Sequence, residues 1–144
     1  MLRSLFTLLF LLSAIVFPPA SDAHHEASGI VKERMDRFSN AKDQLKQIKK
    51  ALSADDFATV LNTASSLREW ASVMPDYFPE GSGMAPSEAS PRIWEEFESF
   101  RVAAKNHEKA AIMLMEAADA NDKDTSISAF KTLAGTCSSC HRQF

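Results

Sequence analysis

The sequence predicts an all-α fold, an antiparallel up-and-down four-helix bundle. Three observations carry this. Apolar residues recur at three-, four- and seven-residue spacings through four stretches, none alternates with the period of a strand, and all connections but one are short. The first helix is expected from about Ser28 to Leu52. Val31, Phe38, Leu45 and Leu52 lie seven apart, with Ala41 and Ile48 between them, which makes a bundle seam. Ser53-Ala54-Asp55 forms a short capped connection. The second helix, about Asp56 to Met74, turns Phe57, Val60, Leu61, Ala64, Leu67 and Ala71 to one side.

Pro75, Pro79, Gly81, Gly83 and Pro86 then mark a loop over residues 75–90. Ser90-Pro91 suits the cap and first position of a third helix, whose stripe runs Ile93, Phe97, Phe100, Ala104, Ala111, Leu114 and Ala118. Residues 121–124 form a polar turn. The fourth helix, about Thr125 to Arg142, carries Ile127, Phe130, Leu133, Ala134 and Cys137 on one side.

That helix ends in Cys137-Ser138-Ser139-Cys140-His141, a C-x-x-C-H run that reads as a c-type haem attachment site. Residues three and four apart share a helix face, so two thiols and an imidazole can address one flat macrocycle. The chain has only these two cysteines, which excludes a four-thiolate zinc or iron–sulfur centre from one chain. A disulfide between residues three apart would close a tiny loop and stabilise little. A thioredoxin-like thiol pair expects a βαβ unit, and the pattern contains none.

The amino terminus reads as an export signal. Arg3 precedes an apolar run from Leu5 to Phe17, Pro18 and Pro19 end it, and Ser21-Asp22-Ala23 offers small residues to a signal peptidase. Residues 1–23 are the expected signal peptide, cleaved after Ala23, and residues 24–144 the expected haem domain. The run is short for a membrane span, so none is expected after cleavage. Loss of Arg3 and Asp22 leaves the net charge at −3, with no basic stripe for nucleic acid. Covalent haem on an exported chain fits a bacterial periplasm.

With C-x-x-C-H closing a fourth helix, the chain resembles the class II cytochromes c, the cytochrome c′ family. Val31-Lys32-Glu33-Arg34-Met35, Phe78-Pro79-Glu80-Gly81-Ser82 and Pro91-Arg92-Ile93-Trp94-Glu95 extend the resemblance over the mature chain. It implies a bundle with haem c covalently attached through Cys137 and Cys140 at one end. His141 would be the proximal iron ligand, and the first helix would cover the distal face. Arg34 matches an arginine that lies close to the haem in this family, and Ser87 and Glu88 match loop positions that approach it. Arg34 also falls on the apolar seam, where a buried guanidinium needs an anion such as a haem propionate; the alternative is a side chain that snorkels to solvent. The position four residues after this arginine is methionine in low-spin members. Here it is Phe38, which has no lone pair, so the iron is expected five-coordinate with an open or Phe38-blocked distal side. Met35, one turn earlier, is the competing distal ligand, since a thioether is an accepted one; the alternative is that it only packs.

Two functions follow, neither of them enzymatic. The first is a periplasmic electron carrier working with redox partner proteins. The second is binding of nitric oxide or carbon monoxide at five-coordinate iron, for which an apolar pocket without a donor is suited. Peroxidase chemistry would want a distal acid–base group, and the first helix offers only Arg34. The resemblance also implies a homodimer through the first two helices, for which residues such as Phe57 and Val60 could serve; the alternative is that this apolar face is taken up by the core. His107 lies near the seam of the third helix and is expected as a partly exposed helix residue, a second axial ligand being the alternative, though nothing in the sequence places it near the haem end. His24-His25 is expected as a loose terminus, with adventitious metal binding the alternative. Trp70, Trp94, Tyr77 and Met113-Leu114-Met115 are expected in the core or around the haem.

Overall fold

The computed structural model describes residues 28–144. The expected signal peptide, its cleavage after Ala23, and His24-His25 lie outside the described residues. Five helices follow: α1 (Gly29–Ser53), α2 (Phe57–Val73), α3 (Arg92–Glu95), α4 (Phe97–Asp119) and α5 (Lys123–Gln143), with a 3₁₀ turn, Met74–Tyr77, directly after α2. There is no strand among the described residues. The four long helices close a ring of neighbours: α1 on α2, α2 on α4, α4 on α5, α5 on α1.

The two short connections share one chemistry. Asp55 and Asn121 take positive φ, 54° and 53°. The next residue, Asp56 or Asp122, accepts a hydrogen bond from the backbone N–H of Thr59 or Thr125, each at 3.0 Å. Short polar side chains tolerate the left-handed turn, and a carboxylate satisfies the orphan N–H groups of the new helix. The first cap is therefore Asp56, one residue beyond the expected connection, and α5 begins at Lys123 rather than Thr125.

The expected third helix is broken. Glu96, with φ −123° and ψ 41°, separates the single turn of α3 from α4. Tertiary anchoring causes this. Ile93 is buried, while the Trp94 indole N–H donates to the Phe78 and Pro79 carbonyls, each at 3.0 Å. Ser90 caps the turn through Oγ, accepting from the Arg92 N–H at 3.2 Å.

Two cores fill the ring. Near the short connections lies an aliphatic cluster that includes Ile48, Val60, Leu67, Leu114 and Leu133. At the other end Trp70, Met74, Phe78, Ile93, Phe100 and Ala104 form an aromatic cluster, with Phe38, Cys140 and Phe144 packed against it. Phe100 is its hub, with ring centroids 4.7 Å from Phe78 and 5.5 Å from Phe144. Val60 is fully buried in the aliphatic core, so it cannot serve as the dimer contact expected of it. Met113 is half exposed, against the expectation that its run packs inside.

The long loop is held close. A Cβ on Gly83 would stand 2.8 Å from the Trp94 ring, so only glycine fits there. The Ser90 N–H donates to the Phe144 carbonyl at 3.2 Å, tying the loop's end to the end of α5.

Candidate functional site: a slot at the aromatic end

α5 brings Cys137, Cys140 and His141 to the aromatic end on one turn. Both thiols are partly buried, and His141 is exposed. Two adjoining cavities open beside them, about 610 Å³ and about 740 Å³. Met35, Phe38, Glu88, Cys140 and His141 line both. The smaller one adds Arg34 and Ser87, and the larger one adds Cys137. The fold therefore gathers Cys137, Cys140, His141, Arg34, Met35, Phe38, Ser87 and Glu88 around one slot.

Its walls are mostly apolar. Phe38 stands edge-on to His141, ring centroids 6.3 Å apart, and to Trp70 at 5.3 Å. Met35 lies at the rim, 45% exposed, while Phe38 reaches deeper into the aromatic cluster. Burial holds both thiols above their ordinary pKa, and Cys137 adds to the effect at Cys140. A redox-active C-x-x-C pair works through a thiol shifted the other way, toward thiolate. The donor set and its surroundings fit a flat, largely apolar, covalently held group: two neutral thiols and an imidazole on one turn, against a slot walled by rings.

Arg34 does not reach solvent. It is 3% exposed and makes four hydrogen bonds to the loop: Nη1 to the Tyr77 carbonyl (3.2 Å) and Ser82 Oγ (2.7 Å), Nη2 to the Ser82 carbonyl and Ser87 Oγ (2.5 Å each). Its guanidinium also lies over Phe78, 4.5 Å from the ring centroid. The snorkelling alternative is thereby excluded. Desolvation lowers the pKa of this group, which nonetheless stays a cation, and all its hydrogen-bond partners are neutral oxygens. It sits on the wall of the smaller cavity as a buried charge with no carboxylate paired to it among the described residues.

His107 departs most from expectation. It is buried, and it lines the larger cavity with Cys137, Cys140 and His141. The Thr136 hydroxyl donates to the Leu133 carbonyl at 2.6 Å, so across the 2.6 Å contact to His107 it accepts, and the imidazole carries its proton on Nδ1. Burial lowers the His107 pKa to about 4, leaving the ring neutral near pH 7. One signal in the sequence points there: His107 lies three residues after Ala104 and four before Ala111, on the apolar stripe. Phe78 and Phe144 also line the smaller cavity, in keeping with the expectation that aromatic residues pack in the core or around the haem.

The Cytochrome C' family model matches residues 29–144. The chain belongs to the cytochrome c′ family. It is accordingly a haem c-binding protein, and its two cysteines suit covalent attachment. Among curated relatives, cytochrome c′ of Rhodospirillum rubrum is 40% identical over 94 residues, covering 62% of this chain and 64% of that one. Cytochrome c-556 of Agrobacterium tumefaciens is 32% identical over 121 residues, covering 81% of this chain and 97% of that one. The match thus spans somewhat under two thirds of the Rhodospirillum protein and nearly all of the Agrobacterium one. Among solved structures, cytochrome c′ from Thermochromatium tepidum superposes with a TM-score of 0.71 at 22% identity, over 79% of this chain and 92% of that one. A nitric oxide complex of a cytochrome c prime variant from Alcaligenes xylosoxidans gives 0.69, also at 22% identity, over 78% of this chain and 90% of that one. At that identity these cytochromes c′ establish the shared four-helix bundle. No helix among the described residues is long and apolar enough to cross a membrane.

Proposed function

We propose that this cytochrome c′ family member is an exported, periplasmic electron carrier that works with redox partner proteins. Cys137 and Cys140 hold the haem, His141 is the proximal iron ligand, and Phe38 occupies the distal side. When bound, haem supplies the one-electron couple; the chain supplies the attachment, the exclusion of water and the surrounding charge. The observation that carries this reading is the slot itself, where the attachment turn opens onto a largely apolar wall that includes Phe38, Phe78, Phe100 and Trp70. Arg34 offers its buried positive charge to a haem propionate, within a loop it already clasps. Ser87 and Glu88 border the same cavity. The apolar run before Ala23 supports export.

The experiment is an alkaline-pyridine haem assay followed by oxidised and reduced visible spectra. Stoichiometric covalent haem with a reversible one-electron couple supports the carrier. A chain without covalent haem overturns it.

A second reading has its own observation. Phe38 offers no ligand atom on the slot's distal wall, and a relative of the same fold is described as a nitric oxide complex. On this reading the protein binds nitric oxide or carbon monoxide at five-coordinate iron. Titration of the ferrous protein with nitric oxide tests it, and an unchanged spectrum removes it. Ligation of iron by Met35 would also remove it and would appear as a low-spin ferric signal. No enzymatic step is assigned to the slot.

A further inference from the structure

Charge is spread unevenly around the slot. The exposed residues lining the larger cavity are Met35, Ser39 and Lys42 of α1, Glu88 of the loop and His141 of α5. Its mouth therefore lies on the seam between α1 and α5, the loosest of the four seams in the ring. At 3.6 residues per turn, Lys46 and Lys49 fall on the same side of α1 as Met35 and Lys42, and Lys50 stands beside them. All four lysines are exposed. Across the seam, α5 carries exposed Lys131 and Arg142 and has no acidic side chain from Thr125 to its end. Asp43, paired with Lys46 at 2.7 Å, and Glu88 at the mouth oppose this charge. Lys42, Lys49, Lys50 and Lys131 make no ion pair among the described residues.

The chain as a whole is acidic, with a net charge of −3. Part of the acidic excess sits between the loop and the start of α4, at Glu80, Glu95, Glu96 and Glu98. The basic strip is thus a local reversal of the overall sign, placed where the slot opens. From Lys42 to Lys49 is roughly 10 Å along the helix, about one screening length at 0.1 M salt. At low salt these charges act together on an approaching surface. Such a patch steers an oppositely charged partner and fixes which of its own faces meets that partner.

We infer that the α1–α5 face, formed by Lys42, Lys46, Lys49, Lys50, Lys131 and Arg142, is the docking surface for an acidic patch on a redox partner protein. It brings that partner to the mouth of the slot, where Lys42 stands in the same lining as Cys137 and His141. The inference rests on the electron-carrier function proposed above.

The test uses the purified protein. Its reduced form is mixed by stopped flow with hexacyanoferrate(III), which takes one electron and becomes hexacyanoferrate(II), from low to high ionic strength. The overall charge alone would repel this anion, and the rate would rise with salt. The docking face predicts the reverse, a rate that falls several-fold. Lys42→Gln/Lys49→Gln and Lys109→Glu lower the net charge equally. Lys109 is exposed on α4, two residues after His107 and so turned away from the slot. The double variant is expected to slow the low-salt reaction several-fold, and Lys109→Glu to leave it nearly unchanged. Calorimetric titration with poly-L-glutamate at low ionic strength reads the same face without redox chemistry. Binding is expected, weakened several-fold by the double variant and not by Lys109→Glu. A rate that rises with salt in the natural protein, equal slowing by both variants, or no binding of poly-L-glutamate overturns the docking face. Absence of covalent haem, read from the absorption spectrum, overturns the electron-carrier function instead, and calorimetry still decides the face.

Discussion

His107 donates its Nδ1 hydrogen to the Thr136 hydroxyl across 2.6 Å, joining α4 to α5 one residue before Cys137. The buried, neutral ring makes stability depend on pH. Its pKa is lowered from 6.5 to about 4 by burial, so between these values the unfolded chain binds a proton that the folded chain does not. Stability therefore falls as pH drops through this window, and the slope vanishes below about pH 4. The full difference amounts to about 3 kcal/mol at roughly 1.4 kcal/mol per pKa unit. Carboxylates titrate in the same range, so the measurement is comparative: urea midpoints at pH 7 and pH 4.5 for the natural protein and His107→Gln. The variant is expected to lose less stability on acidification; equal losses would refute the assignment.

The Arg34 clasp predicts a local effect. Arg34→Met leaves the Tyr77 carbonyl and the half-buried oxygens of Ser82 and Ser87 without their donor, at a cost of about 2–4 kcal/mol. Limited proteolysis is expected to cut within residues 79–90 faster than in the natural protein. Arg34→Lys is expected to rescue little, because an ammonium cannot span the same fork. Full protection in the lysine variant would show that charge alone holds the loop.

Most of this architecture was legible beforehand, and the exceptions share a cause. The heptad through Val31, Phe38, Leu45 and Leu52 marked α1 correctly, because bundle packing demands that periodicity. The break at Glu96 was hidden. Neither glycine nor proline stands there, and it arises from Trp94 reaching two loop carbonyls distant in sequence. The C-x-x-C-H run pointed to the slot by its spacing alone, since its chemistry lies within one helical turn. His107 and Phe144 join that slot through tertiary contacts that a local pattern does not specify.

Phe100 organises the aromatic end. Phe100→Ala removes a side chain that meets Phe78, Phe97 and Phe144, and is expected to cost about 3–5 kcal/mol. Chemical denaturation followed by far-ultraviolet circular dichroism measures this. A loss below about 1 kcal/mol would mean that the cluster closes over the gap.

Phe38 carries the prediction about the distal side. Phe38→Met puts a thioether where the ring faces His141, and is expected to turn a high-spin ferric spectrum into a low-spin one. Electron paramagnetic resonance distinguishes the two. A low-spin signal already present in the natural protein would instead direct attention to Met35.

The twin turns at Asp55 and Asn121 lie at the end of the bundle away from the slot, and Lys123 Nζ joins them by an ion pair to Asp55 at 2.6 Å. From Phe38 to Ser53 along α1 is roughly 22 Å at 1.5 Å per residue. This end is thus a natural handle. A linker, dye or electrode tether placed on the exposed residues there would hold the molecule with its slot facing outward, and immobilisation would leave the working face free.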